Sequence, residues 1–226
     1  MASVDERSLS LEVSGFGCIR NGRVLLRNIG FSLCTGEVLL LKGMNGTGKS
    51  TLLRSLAGLM PWRAGVLTWC GQPALAASAS FQQQLSYLGH SSGMSDALSG
   101  LENLKFALQM QGVRWSDARA TEVLRKLQIL DVVQRPLGRL SHGQQRRVSI
   151  ARVMLSERCL WLLDEPDNAL DTLGCALLVQ VLTAHVRAGG MAIVVSHRGM
   201  RVPDVPTLSL DLNAASCTHA GLEHLC

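Results

Sequence analysis

The residues best suited to phosphate chemistry lie in a glycine-rich segment that follows the apolar run Val38–Leu41. The segment reads Gly43-Met44-Asn45-Gly46-Thr47-Gly48-Lys49-Ser50, which matches the pattern G-x-x-x-x-G-K-[ST] without a mismatch. Backbone N–H groups at a helix start attract phosphate, and glycines let the backbone wrap closely around it. We therefore expect this phosphate loop (residues 43–50) to bind a nucleotide. Lys49 would contact the β- and γ-phosphates, and the Ser50 hydroxyl would bind Mg²⁺.

Two adjacent carboxylates follow a second apolar run, Leu160–Leu163. The carboxyl ends of parallel strands meet where ligands bind, so we expect Asp164 to hold Mg²⁺ through water. Glu165 would face the attacking water as the general base. A strand that ends in Asp-Glu is a weak signal by itself, and it becomes strong when it accompanies a phosphate loop.

A third candidate is the segment Leu140-Ser141-His142-Gly143-Gln144-Gln145. Ser141 suits the N-cap of a helix whose first turn is exposed and rich in glutamine. The same hydroxyl and the N–H of Gly143 could instead bind a phosphate at the helix N-terminus. The residues of this segment alone leave both interpretations open.

Strands that alternate with helices predict an α/β fold with a parallel sheet covered on both faces. The patterns indicate strands at 8–13, 23–33, 38–41, 65–70, 84–88, 159–163 and 191–195, and helices at 50–57, 143–155 and 173–186. A helical period between about 100 and 130 indicates an inserted helical segment. Residues after Asp211 show no clear period.

Composition narrows the class of protein. The 226 residues are 47% hydrophobic and 17% charged, which excludes an intrinsically disordered chain. No apolar run is longer than five residues, so a membrane role would need a partner. The net charge of +5 is scattered, which favours a solvated surface over nucleic-acid binding. Seven cysteines without a C-x-x-C pair predict reduced, buried thiols rather than a secreted disulfide framework.

The order of these motifs resembles that of ATP-binding-cassette (ABC) ATPases. After the phosphate loop come a segment like the L-S-G-G-Q signature at 140–144, the carboxylate pair, Ala169-Leu170-Asp171 like the family's D-loop, and His197 like its switch histidine. The resemblance implies a single domain, 1–226, with the α/β P-loop NTPase fold of the ABC type. It also implies an N-terminal antiparallel β subdomain and an inserted helical subdomain at roughly 91–140.

The motifs and the resemblance together assign ATP and Mg²⁺ as ligands. Catalysis falls to Lys49, Glu165 and His197, and Mg²⁺ binding to Ser50 and Asp164. Nucleotide contacts fall to Gly43, Asn45, Gly46, Thr47, Gly48, Lys49, Ser50, Thr51, Arg20, His90, Ser141, Gly143, Gln144 and Asp171. In ABC ATPases the signature of one chain faces the phosphate loop of another. With one phosphate loop and one signature in this chain, the resemblance implies that two copies sandwich ATP head to tail.

Three positions depart from the ABC pattern. His142 stands where most signatures carry glycine, but Ser141 and Gly143 keep the contacting groups. The aromatic residue that usually stacks on adenine is missing, and Arg20 could stack on the base or remain a surface residue. His90 stands where the Q-loop carries glutamine, and it could join a water relay or be a structural loop histidine.

Several of these features also resemble the ATP-binding subunit of cytochrome c maturation haem exporters. They include Trp161–Pro166, the Gln145-Arg146-Arg147 run, and the Gly89-His90 variant. The resemblance implies integral membrane partners, a peripheral place on the cytoplasmic face of a bacterial inner membrane, and release of a haem-loaded chaperone. Haem would be involved only indirectly. The helix at 101–111 and the loop 90–95 would form a groove for the membrane subunit.

Other classes of protein remain open at this point. A soluble ABC ATPase of iron–sulfur assembly, or the ATPase of another small-substrate importer or exporter, would use the same motifs. An assembly subunit that binds nucleotide but barely hydrolyses it is a further alternative.

The tail carries Cys217, His219, His224 and Cys226. We expect it to be dispensable, because chain ends of this kind are usually frayed.

Overall fold

Two β-sheets form the framework of the computed structural model, which describes residues 9–20, 23–196 and 200–213, without the side chains of Arg20 and Arg23. The strands are β1 (Ser10–Arg20), β2 (Arg23–Cys34), β3 (Val38–Lys42), β4 (Ala64–Trp69), β5 (Gln72–Ala74), β6 (Leu85–Leu88), β7 (Leu160–Asp164), β8 (Met191–Val195) and β9 (Thr207–Asp211). An antiparallel sheet has the order β2-β1-β4-β5, and a parallel sheet has the order β6-β7-β8-β3-β9.

The helices are α1 (Lys49–Leu56), α2 (Ala79–Gln82), α3 (Gly100–Met110), α4 (Asp117–Lys126), α5 (His142–Leu155) and α6 (Thr172–Arg187). A short 3₁₀ turn at Leu137–Arg139 precedes α5. The predicted α/β fold and its N-terminal antiparallel sheet are confirmed. Helices α3 and α4, which pack against α5, lie in the segment where a helical period was expected.

The continuous apolar runs of the sequence form the central strands of the parallel sheet. Strands β3, β7 and β8 have helices or sheet on both faces, so nearly every position along them is buried. Leu163 and Val194 face a core with helices α3–α6, whereas Leu162 and Ile193 face a second core with α1 and the antiparallel sheet. Because β3 and β7 both pair in parallel with β8, their carboxyl ends lie at the same edge of the sheet.

Three elements were not foreseen: β5, α2 and β9. Strand β9 lies at the edge of the parallel sheet and pairs only with β3 in the described chain. It is five residues long and largely exposed, so it lacks the continuous apolar run that marked the central strands. The first strand also extends further than expected, to Arg20.

The expectation of reduced, buried cysteines is only partly correct. Cys18, Cys70, Cys159 and Cys175 are free thiols, but Cys70 is exposed and two others are half-buried. Cys34 is disulfide-bonded, so the expectation is wrong for it. Cys217, His219, His224 and Cys226 lie outside the described residues. In the part of the chain that is described, no helix has both the length and the apolar character to cross a bilayer.

Candidate nucleotide site

The phosphate loop connects β3 to α1 and is shaped by glycines with positive φ. Gly43 has φ 142° and Gly48 has φ 102°, conformations that L side chains rarely adopt. A Cβ on Gly48 would come within 2.9 Å of the Leu26 side chain. The loop therefore needs glycine at position 48 for two reasons, its backbone conformation and the close approach of β2.

Lys49 begins α1 and folds back over the loop. Its Nζ donates hydrogen bonds to the carbonyl oxygens of Gly43 (2.7 Å) and Met44 (2.8 Å), and the side chain is buried. These bonds hold the ammonium group at the mouth of the loop, where a phosphate would compete with the carbonyl groups for it. The position agrees with the contact expected for Lys49.

Ser50 and Asp164 meet although they are far apart in the sequence. Ser50 Oγ donates a 2.9 Å hydrogen bond to Asp164 Oδ1. Asp164 is buried at the end of β7, and its Oδ2 has no hydrogen-bond partner among the described residues. Burial raises the pKa of Asp164 above its ordinary value, while the Ser50 hydroxyl opposes that rise. A buried acceptor of this kind suits a cation or its bound water.

Glu165 turns out of β7 with a φ of 50°, so its carboxylate leaves the strand direction. Its N–H donates to the Val195 carbonyl oxygen at 2.9 Å, which keeps the turn attached to β8. The side chain lines a cavity of about 260 Å³. The other lining residues are Leu25, Asn45, Gly46, Gly48, Lys49, Ser50 and Thr51. The structure thus brings the predicted base to the predicted phosphate loop.

His90 reaches the same place from the loop that follows β6. Its Nδ1 lies 3.8 Å from Glu165 Oε2, and the imidazole remains largely exposed. The contact is an ion pair only when the histidine is protonated. The structure therefore puts His90 beside the Glu165 carboxylate, and its role in a water relay stays a prediction.

The signature segment occupies the start of α5. Ser141 is the N-cap: its hydroxyl accepts from the Gln144 N–H (3.3 Å), and Gln144 Oε1 accepts from the Ser141 N–H (2.9 Å). A Cβ on Gly143 would lie 3.1 Å from the Ala169 carbonyl oxygen. Neither Ser141, Gly143 nor Gln144 is among the described residues that line the phosphate-loop cavity. The capping interpretation of Ser141 is confirmed, and its groups do not face this copy's own site.

Asp171 caps the next helix, α6. Its Oδ1 accepts from the Gly174 N–H at 2.7 Å and from Arg147 Nη2 at 2.9 Å. The Gly174 hydrogen bond is the main reason why the pKa of Asp171 lies below its ordinary value. Just upstream, Asp167 accepts a 2.7 Å hydrogen bond from the Ser196 hydroxyl at the end of β8. These bonds fix the segment between the carboxylate pair and α6.

Two predicted residues cannot be placed. His197 lies outside the described residues. Arg20 ends β1, but its side chain is not described. The sequence reasoning assigned no site role to Arg146, which contacts the turn that carries Glu165. Its guanidinium is buried on α5 and donates to backbone carbonyl groups of the Asp164–Pro166 turn. A buried arginine cannot be told from a surface arginine by residue type.

The chain matches a protein-family model over more than half of its length. The family model "ABC transporter" matches residues 26–168, from β2 through the carboxylate pair.

Curated relatives are similar over most of their length. The chain is 41% identical over 201 residues to "Cytochrome c biogenesis ATP-binding export protein CcmA" of Cupriavidus necator, covering 89% of this chain and 88% of that protein. It is 38% identical over 190 residues to the protein of the same name from Vibrio cholerae, covering 84% and 92%.

Solved structures are also similar. One described as "Structure of ATP binding subunit of ABC transporter" superimposes with a TM-score of 0.73 and 25% identity, covering 83% of this chain and 79% of the other. A putative ABC transporter ATP-binding protein from Pyrococcus furiosus gives a TM-score of 0.78 at 22% identity, covering 90% and 98%. The second likeness supports the fold alone.

Proposed function

Because the chain belongs to the ABC transporter family of ATP-binding proteins, we propose that it is the ATP-hydrolysing subunit of a cytochrome c biogenesis exporter. One observation supports ATP hydrolysis: Lys49, Ser50 and Glu165 line one cavity, and Ser50 is hydrogen-bonded to Asp164. The relatives support the biological role, since proteins named as cytochrome c biogenesis ATP-binding export proteins match most of the chain. A soluble iron–sulfur assembly ATPase is not favoured by these relatives.

The residues at the end of β7 fit a Mg²⁺ ion. Asp164 Oδ2 is a buried acceptor without a described partner, and the Ser50 hydroxyl lies beside Oδ1 of the same carboxylate. Hydroxyl and carboxylate oxygens are ligands that Mg²⁺ accepts. When bound, the ion would neutralise charge on the β- and γ-phosphates.

Hydrolysis in this proposal depends on positioning and charge. Lys49 holds its ammonium against the phosphate groups once they displace the Gly43 and Met44 carbonyl oxygens. Glu165 accepts the proton of the attacking water, and His90, 3.8 Å away, orients that carboxylate. His197 contacts the γ-phosphate, as the family resemblance implies. Arg20 would stack on the adenine in place of the missing aromatic residue, or else remain a surface residue.

The second half of each site comes from a second copy of the chain. Ser141, Gly143 and Gln144 lie at a helix N-terminus, where phosphate is favoured, yet they do not line their own copy's cavity. A head-to-tail dimer would bring them onto the partner copy's γ-phosphate. Asp171, which caps α6 beside this helix, would lie at the same interface.

The inserted helical subdomain, roughly residues 91–140, would meet the membrane subunits. On α3, Phe106 and Met110 are 60% and 72% exposed and lie one turn apart, while Leu104 and Leu108 are buried. Asn103 ties the preceding loop to this helix, because its side chain bonds to Ser95 N (2.8 Å) and Ser95 O (2.9 Å). An apolar pair beside a fixed loop suits a membrane subunit's cytoplasmic helix.

The complex would work at the inner membrane, with this subunit bound peripherally on its cytoplasmic face. ATP hydrolysis would drive release of a haem-loaded chaperone, and haem would not contact this chain. The test is purification of the tagged chain from native membranes, with identification of bound proteins and an ATPase assay. Integral membrane proteins of cytochrome c biogenesis are expected to accompany it. Recovery of an active ATPase with soluble iron–sulfur assembly proteins instead would overturn the proposal.

A further inference from the structure

Arg146 is a buried cation that the functional assignments so far leave without a role. It lies on the second turn of α5 and is only 7% exposed. Its guanidinium donates to the carbonyl oxygens of Gly89 (2.9 Å), Asp164 (2.8 Å), Glu165 (2.6 Å) and Pro166 (3.2 Å). Every one of these acceptors is backbone, and none is a side chain.

The four acceptors belong to two segments that carry candidate catalytic groups. Gly89 directly precedes His90, whose Nδ1 lies 3.8 Å from the Glu165 carboxylate. Asp164 to Pro166 form the turn at which the chain leaves β7, where Glu165 has a positive φ. Peptide groups that leave a sheet lose their ladder partners, and buried carbonyl oxygens need donors. Arg146 supplies those donors.

The helix that carries Arg146 starts with the signature segment. Ser141 is its N-cap, and Gly143 is packed against the Ala169 carbonyl oxygen. A guanidinium is planar, with N–H donors in a fixed arrangement, so it constrains orientation as well as distance. The start of α5, the loop at Gly89 and the Glu165 turn are thus joined through one rigid group.

The charge of Arg146 also lies near the carboxylates of the site. Among the described residues it makes no direct ion pair, and burial lowers its pKa from the ordinary value. The nearby charges of Asp164, Asp167 and Glu165 oppose that decrease. A buried cation without a direct carboxylate partner is costly unless its hydrogen bonds are complete. The four carbonyl groups accept from four of the five N–H donors of the guanidinium.

We propose that Arg146 is a positioning residue that orients Glu165 and His90 relative to the signature helix. Movement of α5 when its Ser141 end closes on the partner copy's nucleotide is transmitted through this guanidinium to the Glu165 turn of the same copy. The inference rests on the proposed ATPase function and on the head-to-tail arrangement. It adds a physical link between the two nucleotide sites of a dimer.

The test compares Arg146→Lys and Arg146→Gln with matched substitutions at Arg152. Arg152 lies on the same helix and also donates to backbone carbonyl oxygens, those of Ser92 (2.9 Å) and Tyr87 (3.2 Å). Burial lowers its pKa as well. It does not bond to the Asp164–Pro166 turn, so it controls for a buried helix arginine that only anchors the loop.

Five quantities are measured for each variant: kcat, KM for ATP, the affinity for a non-hydrolysable ATP analogue, analogue-induced dimerisation, and the thermal midpoint. For Arg146→Lys we expect kcat to fall about tenfold or more, because small misplacements of a catalytic group are costly. Analogue affinity and analogue-induced dimerisation should stay within about twofold of wild type, since the phosphate loop is untouched. Arg152→Lys should keep kcat within about twofold at a similar thermal midpoint.

Each result decides the question. Equal losses of kcat in the Arg146→Lys and Arg152→Lys chains would overturn the inference, as would parallel losses of analogue affinity, dimerisation and kcat. If both Arg146 variants fail to fold while the Arg152 variants fold, Arg146 is a stabilising residue and the inference is wrong. An inactive wild-type chain would instead count against the proposed function.

Discussion

Ser50 Oγ lies 2.9 Å from Asp164 Oδ1 and joins the start of α1 to the end of β7 across 114 residues. The two groups are hydrogen-bonded donor and acceptor in this structure, and both are potential Mg²⁺ ligands. We therefore expect the Mg²⁺ dependence of ATP hydrolysis to change when the Ser50 hydroxyl is removed.

Ser50→Ala should raise the Mg²⁺ concentration needed for half-maximal ATPase activity by about tenfold to a hundredfold. The substitution removes one metal ligand and also leaves Asp164 Oδ1 without its hydrogen bond. Titration of activity with MgCl₂ at fixed ATP measures the effect. Ser50→Thr, which keeps the hydroxyl, is the control and should stay close to wild type. An unchanged Mg²⁺ dependence in the alanine variant would contradict the metal assignment.

Lys49→Ala should reduce ATPase activity by about a hundredfold or more. The ammonium group is held at the mouth of the phosphate loop by two carbonyl oxygens, and its removal leaves the β- and γ-phosphates without this fixed charge. Steady-state phosphate release by the purified chain measures the loss. Arg158→Ala is a suitable control, because that arginine is bonded to Gln83 and Gln111 carbonyl oxygens away from the cavity. Near-normal turnover in the Lys49 variant would remove the phosphate-loop assignment.

Glu165→Gln should stop hydrolysis while preserving ATP binding. Glutamine keeps the shape of the side chain but cannot accept the proton of water, so we expect a loss of about a hundredfold or more in kcat. Bound ATP should then hold two chains together through their signature segments. Size-exclusion chromatography with light scattering, with and without Mg-ATP, tests this. A variant that binds ATP and remains monomeric would count against the head-to-tail arrangement.

Phe106→Ser combined with Met110→Ser should release the chain from its membrane partners without loss of its own ATPase activity. Both side chains are largely exposed on α3, so their replacement removes apolar contact area but little of the core. Co-purification from native membranes measures the association. Leu75→Ser is the control, because Leu75 is 76% exposed but lies outside α3. Retained association in the double variant would exclude this face as the docking surface.

The stability of the chain should decrease as the pH is lowered from about 6.5 towards 4 because of His185. Its ring stacks on Trp161 with centroids 3.8 Å apart, beside a cavity at the opposite end of the sheet from Asp164. Burial lowers the pKa of His185 to about 4. The unfolded chain therefore binds a proton that the folded chain excludes in this interval. The contribution of neutral His185 to the free energy of unfolding is complete above pH 6.5, where it is about 3 kcal/mol.

Urea unfolding at about pH 7.5 and about pH 5 measures this dependence. His185→Phe keeps a ring against Trp161 but cannot titrate, so its free energy of unfolding should change less between the two pH values. The comparison uses the difference between pH values, so a constant loss of the hydrogen bond from His185 to the Met191 carbonyl does not affect it. If the free energy of unfolding changes equally between the two pH values in both proteins, His185 is not responsible for the pH dependence.

Local patterns of residues were enough to predict the phosphate loop and the main strands. Residues 43–50 match a local pattern whose glycines and lysine have few other uses, and the structure gives positive φ to Gly43, Gly46 and Gly48. Strands β3, β7 and β8 were predictable, because a strand buried on both faces must be apolar along its whole length. The N-cap of α5 was also visible, since capping depends on residues three apart.

Contacts between residues far apart in the chain depend on the tertiary fold and could not be predicted. Nothing local to Ser50 or Asp164 specifies their hydrogen bond, and nothing in the residue type of Arg146 distinguishes it from the half-buried Arg147 beside it. Edge strand β9 escaped prediction because its pairing with β3, rather than its own residues, makes it a strand. Packing of helices and sheets around two cores fixes these contacts, and that packing depends on the whole chain.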